Sequence, residues 1–182
     1  MSETTLFLRR LIRNPRQVSA IAPSSPFLAR AMTRCLGPES RVVEFGPGTG
    51  SLTRGILSRG VRSENLACFE LDPDFITRLR KAFPGITVHH AGADRAPEFV
   101  EPGVDAVISG LPLLSMPASL VKAIVGAAFA VLKPGGQFIQ FTYGSKPPVP
   151  EAVMQNLGLT TRKGPYVAFN LPPARIYHFT RA

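Results

Sequence analysis

The chain is poor in several residue types that would indicate common classes of protein. Its 182 residues contain no tryptophan, and the two cysteines, Cys35 and Cys68, lie far apart without the spacing of a metal site. Acidic residues are also scarce, because 12 Asp and Glu stand against 21 Lys and Arg, giving a formal net charge of +9. No apolar run reaches the ~18 residues of a membrane span, and Arg9 and Arg10 interrupt the N-terminal stretch. We therefore expect a cytoplasmic protein with no metal centre, two reduced cysteines in its core, and an anionic partner.

Helical and strand patterns alternate along most of the chain. Ser25 and Pro26 are typical of a helix start, and the helix predicted there runs to about Leu36. Further helices near 49–58, 73–83 and 117–132 alternate with strands at 41–45, 65–71, 86–94, 104–109 and 136–143. Two β-rich runs at 159–169 and 175–181 fit an antiparallel pair that closes the sheet. The pattern predicts an α/β fold with a mostly parallel, seven-stranded sheet flanked by helices.

The stretch VVEFGPGTG, which starts at residue 42, predicts a strand, a tight turn and a helix start in succession. Gly46, Gly48 and Gly50 allow the backbone to turn sharply and to approach a ligand where a side chain would collide. Glu44 comes just before this turn. The dinucleotide-binding fingerprint differs, because it has its third glycine one place later and needs no acid here. The pattern nevertheless predicts a nucleotide-type pocket.

Two further acids stand at predicted strand ends. Glu70 lies about 20 residues beyond the last glycine, the distance at which a βαβ unit delivers its ribose-binding carboxylate. Asp94 follows Ala93 at the end of the next strand. With the glycine turn, these acids resemble the class I S-adenosylmethionine-dependent methyltransferases. The resemblance implies S-adenosylmethionine as cofactor and S-adenosylhomocysteine as product, with Glu44 near the methionine part, Glu70 and Leu71 at the ribose, and Ala93 and Asp94 at the adenine.

The first sixteen residues are basic and amphipathic. On a helix, Arg9, Arg10 and Arg13 share one face, opposite an apolar face. The apolar face comprises Phe7, Leu8, Leu11 and Ile12. Such a helix is suited to the interface of an anionic membrane, although it could instead pack on the domain with solvated arginines. We assign residues 1–36 to this docking helix and a capping helical segment, and residues 37–182 to the methyltransferase domain.

The fourth predicted strand ends in SGLPLLSMP, residues 109–117. Methylases of base amines usually carry Asn or Asp, two prolines and an aromatic residue at this point. Here Ser109, Gly110, Leu111 and Pro112 replace that set, so a stacking ring is missing. We expect Ser109 to contact the cofactor, and Leu111 and Pro112 to line an apolar acceptor site that suits a lipid headgroup better than a flipped base.

The whole chain resembles the bacterial phospholipid N-methyltransferases, which convert phosphatidylethanolamine stepwise to phosphatidylcholine. The resemblance rests on FLRRLIRNPRQVSAIAPSS (7–25), VVEFGPGTG (42–50), SGLPLLSMP (109–117), QFTYG (140–144) and NLPPARIY (170–177). It implies a phospholipid substrate, docking through the N-terminal helix on the inner face of the cytoplasmic membrane, and one to three transfers to the same nitrogen.

Four more residues are candidates for the acceptor site. Tyr143, predicted at the carboxyl end of strand five, is the candidate catalytic residue, because its hydroxyl could orient a free amine. Ser24 and Ser25 precede a helix and could meet the lipid phosphate. Arg175, in the closing hairpin, could line the headgroup site.

Two other functions remain open from the sequence. A base-amine methyltransferase similar to the ribosomal RNA adenine dimethylases would share the Glu-x-Gly-x-Gly-x-Gly motif and the positive charge. The missing aromatic residue after strand four and the lack of an extra C-terminal helical domain argue against nucleic acid as a partner. A basic peripheral protein that binds anionic membranes without catalysis is the third possibility. The sequence leaves the oligomeric state open.

Overall fold

A computed structural model describes residues 24–182, and the docking helix predicted around Arg9, Arg10 and Arg13 lies outside this range. The helices are α1 (Pro26–Met32), α2 (Ser51–Leu57), α3 (Pro73–Ala82), α4 (Ala118–Val131) and α5 (Glu151–Leu157). The strands are β1 (Val42–Phe45), β2 (Leu66–Glu70), β3 (Thr87–His90), β4 (Val104–Ser109), β5 (Leu132–Thr142), β6 (Leu159–Val167) and β7 (Ala174–Arg181). Short 3₁₀ turns cover Ser63–Asn65, Ala93–Glu98 and Leu113–Ser115.

The strands form a seven-stranded sheet in the order β3-β2-β1-β4-β5-β7-β6. Strands β1 to β5 are parallel, and β7 runs antiparallel to both β5 and β6. This is the mostly parallel sheet with a closing antiparallel pair that the sequence predicts. The order reverses between β1 and β4, and a ligand crevice is expected beyond the carboxyl ends of the strands at such a point.

Apolar side chains cover both faces of the sheet, as expected for parallel strands between two helical layers. On one face, Leu28 and Met32 of α1 pack with residues of α2 and α3. On the other, α4 and α5 pack over β4, β5 and β7, with Ile124 and Phe138 at the centre. No helix among residues 24–182 has the length and hydrophobicity needed to cross a membrane.

The structure corrects two predictions near the first helix. Helix α1 ends at Met32 rather than near Leu36, because Thr33 caps it and its Oγ1 donates to the Ala29 carbonyl at 2.9 Å. Cys35 therefore lies in the turn beyond the helix and is exposed, so its assignment to the core is wrong. Cys68 is buried as predicted.

Further differences concern the lengths and number of elements. Strand β3 covers only Thr87–His90 of the predicted 86–94, since a 3₁₀ turn begins at Ala93. Strand β5 ends at Thr142, so Tyr143 follows it directly instead of ending it. Helix α5 is absent from the sequence prediction. Its seven residues lie in a stretch with three prolines just upstream, which masks a helical pattern.

Candidate functional site

The glycine turn, residues 46–50, joins β1 to α2 with all three glycines at positive φ. Gly46 donates its N–H to the Phe69 carbonyl at 3.0 Å, which ties the turn to β2. A Cβ on Gly46 would lie 2.6 Å from Cδ2 of Leu111, whereas a Cβ on Gly48 would meet no atom within 4 Å. A side chain at Gly46 would displace Leu111, and the positive φ there also favours glycine. Gly48 is required by φ alone and borders open space that a cofactor can occupy.

Glu44 sits beneath this turn and is fully buried. Its Oε2 accepts hydrogen bonds from Thr53 at 2.7 Å and from Cys68 at 3.6 Å. Among the described residues, no group hydrogen-bonds to its Oε1. Desolvation by burial raises the pKa of Glu44 to about 7, although the hydrogen bonds from Thr53 and Cys68 lower it in part. A cation nearby would favour the ionised form, as the role predicted for Glu44 toward a cationic methionine group requires.

Glu70 connects the glycine turn to the end of β2. Its Oε2 accepts from the Gly48 N–H at 3.0 Å, and its Oε1 accepts from the N–H groups of Leu71 and Asp72 at 2.7 and 3.0 Å. An ionised carboxylate offers about four acceptor positions, so three backbone bonds leave one free for a ribose hydroxyl. Leu71 is half-buried beside it. The carboxylate predicted to bind the ribose is thus held by hydrogen bonds from the backbone.

Ala93 and Asp94 begin the 3₁₀ turn after β3. Ala93 is buried in the core, while Asp94 is half-buried. The Asp94 carboxylate folds back over Gly92, where any side chain would collide with it. Both residues lie on the β3 side of the crevice, the side predicted for the adenine.

The acceptor loop, residues 110–117, follows β4 and lies on the glycine turn. Gly110 donates its N–H to the Phe45 carbonyl at 2.8 Å, and a Cβ there would lie 2.8 Å from the Gly46 carbonyl oxygen. Ser109 is buried, and its Oγ accepts from the Leu111 N–H at 3.3 Å. Leu111 packs on Gly46, and Pro112 is half-buried next to it. The structure therefore brings Ser109, Leu111 and Pro112 next to the glycine turn.

Gln140 is a site residue that the sequence analysis missed. It pairs with Ser109 in the β4–β5 register and is 1% exposed. Its Nε2 donates to the carbonyls of Leu111 and Phe141 at 3.0 and 2.9 Å. Its Oε1 has no hydrogen-bond partner among residues 24–182. Gln140 thus binds the acceptor loop through its Nε2, and its buried Oε1 remains available as a hydrogen-bond acceptor. A polar amide in an apolar central strand was the available signal.

Tyr143 lies on the other side of the sheet, where its ring meets Phe141 edge-on with 5.4 Å between centroids. Burial raises the pKa of the Tyr143 hydroxyl above its ordinary value, and the neighbouring Asn170 side chain offsets part of this shift. Asn170 also accepts from the Ser25 N–H at 2.9 Å. Asn170, in the β6–β7 turn, thus connects Tyr143 to the start of α1.

The other residues predicted for the acceptor site are Ser24, Ser25 and Arg175. Ser25 caps α1, since its Oγ accepts from the Leu28 N–H at 3.2 Å. Ser24 and Ser25 line a cleft of about 660 Å³ between α1 and α2. Its walls also carry Arg30, Arg54 and Arg59. Arg175 is held on the hairpin, with its guanidinium 4.9 Å above the ring of Tyr166.

The chemistry of this donor set fits S-adenosylmethionine. A free carboxylate position on Glu70 suits a ribose hydroxyl, the open space at Gly48 admits the cofactor, and the unpaired Oε1 of Glu44 suits a cationic group. Within residues 24–182, no cluster of three or more His, Cys, Asp or Glu could hold a metal ion.

Comparison with known proteins identifies the family of the chain. The family model described as a methyltransferase domain matches residues 42–136. An ornithine lipid N-methyltransferase of Singulisphaera acidiphila is 33% identical over 151 residues, covering 78% of this chain and 79% of that protein. A ribosomal RNA small subunit methyltransferase A of Marinomonas sp. is 44% identical over 69 residues, but these cover 35% of this chain and 25% of that protein.

Solved structures agree on the fold. TrmN of Thermus thermophilus has a TM-score of 0.69 at 20% identity, covering 93% of this chain and 52% of that chain. The glycopeptide N-methyltransferase MtfA, complexed with S-adenosylmethionine, has a TM-score of 0.68 at 13% identity, covering 90% and 96%. The resemblance noted in the sequence is confirmed: the chain belongs to the class I S-adenosylmethionine-dependent methyltransferases.

Proposed function

We propose that the chain transfers methyl groups from S-adenosylmethionine to the headgroup amine of phosphatidylethanolamine, and then to its mono- and dimethyl derivatives, toward phosphatidylcholine. The reaction would take place at the inner face of the cytoplasmic membrane. The observation that carries this proposal is the apolar acceptor loop, in which Leu111 packs directly on the glycine turn. The similarity to a protein named for methylating a lipid amine supports it.

Methyl transfer to an amine is limited by the nitrogen lone pair. A primary ammonium comparable to lysine has a pKa of about 10.4, so on the order of one molecule in a thousand is free at neutral pH. The cofactor supplies an electrophilic methyl group, and the protein must supply a dry site and an aligned approach. Leu111, Pro112 and the buried Leu113 exclude water there, which lowers the ammonium pKa.

We further propose that Tyr143 orients the free amine, because the next residue, Gly144, lies beside Leu114 of the acceptor loop. Because burial raises its pKa, its hydroxyl stays protonated at neutral pH and cannot serve as a strong base. A protonated hydroxyl can still accept a hydrogen bond from the amine N–H while donating one of its own. We assign Tyr143 this orienting role.

Tyr143→Phe tests the assignment. Losing one hydrogen bond worth about 1.4 kcal/mol in the transition state should lower kcat roughly tenfold, with S-adenosylhomocysteine affinity unchanged. The matched control is Tyr166→Phe, which removes an exposed hydroxyl from β6 and should leave kcat unaltered. Equal kcat values for the two variants would refute the orienting role.

The substrate is tested by offering purified protein labelled cofactor with three acceptors: phosphatidylethanolamine vesicles, ornithine-lipid vesicles and ribosomal RNA. We expect label in phosphatidylethanolamine. Label in the ornithine lipid alone would keep a lipid amine as acceptor and overturn phosphatidylethanolamine. Label in RNA alone would overturn lipid methylation altogether.

A base-amine methyltransferase is the second candidate, favoured by the partial identity to ribosomal RNA small subunit methyltransferase A. The acceptor loop argues against it, because it has no aromatic side chain on which a base could stack. Membership of a methyltransferase family argues against the third possibility, a membrane-binding protein without catalysis.

A further inference from the structure

Four large apolar side chains are exposed at one edge of the molecule, and we call them the apolar rim. Phe27 at the start of α1 and Leu114 in the acceptor loop are each 59% exposed, while Phe169 and Leu171 in the β6–β7 turn are 77% and 82% exposed. Large exposed apolar groups gathered in one place mark interaction sites more often than scattered ones do.

Contacts link the members of the apolar rim to one another and to Tyr143. The rings of Phe27 and Phe169 lie 5.4 Å apart. Asn170, between Phe169 and Leu171, holds the N–H of Ser25, and its side chain also neighbours Tyr143. Leu114 lies beside Gly144, the residue after Tyr143, since its Cδ1 would be 3.2 Å from a Cβ there. The members of the rim are therefore connected through Tyr143 and its neighbours Asn170 and Gly144.

The sheet topology places the β6–β7 turn of the rim beyond the carboxyl ends of the parallel strands, the end at which the acceptor loop follows β4. Thr142 at the carboxyl end of β5 pairs with Arg175 near the start of β7, so the turn between β6 and β7 projects beyond that end. Ser109 and Gln140 lie at the same edge of the sheet. The start of α1 lies here as well, because Ser25 donates its N–H to Asn170 in the β6–β7 turn.

Charge favours an anionic occupant. Residues 164–174, which include the β6–β7 turn, contain no acid, and Arg175 follows directly at the start of β7. Lys146, exposed three residues after Tyr143, adds another positive charge. Each such cation near an anionic bilayer contributes about 1 kcal/mol of attraction. Exposed apolar side chains beside cations are the combination that binds an anionic lipid surface.

We propose that the apolar rim inserts into the lipid bilayer and seats the site on the membrane surface. Phe169 and Leu171 enter the interfacial region, Phe27 and Leu114 follow, and the basic residues contact anionic headgroups. This inference deepens the proposed function, on which its part in catalysis rests. The insertion itself needs no substrate and can be tested alone.

Because the chain contains no tryptophan, one introduced indole reports a single position. In Phe169→Trp, vesicles of phosphatidylglycerol and phosphatidylcholine should shift the emission to shorter wavelength, and brominated acyl chains should quench it. Phe99→Trp is the matched control, because Phe99 is an exposed aromatic that packs against His89 of β3, the opposite edge of the sheet. Its emission should not change. S-adenosylhomocysteine binding verifies that each variant is folded.

Three results would overturn the insertion. The emission at position 169 could stay unshifted, it could match that at position 99, or it could be short-wavelength before vesicles are added. The last result would mean that another part of the chain covers the rim.

The double variant Phe169→Ser, Leu171→Ser should bind these vesicles roughly tenfold or more weakly, whereas Phe99→Ser should bind as the unaltered chain does. Unchanged binding of the double variant would refute the proposal. If the rim inserts but no lipid is methylated, the proposed function is refuted, whereas the proposal that the rim binds membranes is retained.

Discussion

The Glu70→Ala variant is expected to bind S-adenosylhomocysteine about 100-fold more weakly than the unaltered chain. The change removes the acceptor predicted for a ribose hydroxyl and releases the backbone N–H groups of Gly48, Leu71 and Asp72. Hydrogen bonds to a charged group contribute about 1.5–3 kcal/mol each, so losing even one or two accounts for this factor. Isothermal titration calorimetry measures it directly.

Asp72→Asn is the matched control for Glu70. Asp72 lies two residues away and caps α3 by accepting from the N–H groups of Asp74 and Phe75, a role that asparagine also fills. This variant should keep its cofactor affinity. Circular dichroism verifies that the Glu70 variant is folded. An affinity within threefold of the unaltered chain would contradict the ribose role of Glu70.

The second large effect is a pH dependence of stability caused by Glu44. Its pKa is about 7 in the ligand-free fold and 4.5 in the reference state, so the folded chain binds the extra proton between these values. The free energy of unfolding should therefore fall as pH rises from about 5 to 8. The contribution of this group is about 3 kcal/mol at low pH and is lost as the pH rises through about 7.

Glu44→Gln should abolish this contribution and raise stability at pH 8, as measured by urea denaturation at a series of pH values. The exposed change Glu101→Gln serves as the control. The difference between the unaltered and Glu44→Gln curves isolates Glu44 from His89 and His178, whose pKa values are lowered by burial and act in the opposite direction. Parallel curves for the two proteins would show that Glu44 is already ionised in the fold.

The glycine turn and the place of Glu70 beside it can be predicted from the sequence because these contacts are local. Gly46, Gly48 and Gly50 are needed for a turn that few other residues can form, and Glu70 follows within the same βαβ unit. The helical and strand patterns of the sequence likewise predict the order of these elements. The mostly parallel sheet with its antiparallel pair agrees with that reading.

The acceptor side is less predictable because its contacts are long-range. Gln140 acquires its role from the pairing of β4 with β5, and Asn170 meets Ser25 across 145 positions of the chain. No local pattern encodes either contact. The prediction of Cys35 in the core fails for a different, local reason: its exposure depends on where α1 ends, which the Thr33 cap decides.

The position of β7 between β5 and β6 affects the order in which the protein folds. Strand β6 pairs only with β7 among the strands described, although it is synthesised first. It must therefore wait, with unpaired backbone groups, until the residues from Ala174 to Arg181 leave the ribosome. The turn bearing Phe169 and Leu171 takes shape in this step, so a nascent chain completes the apolar rim only after β7 has paired.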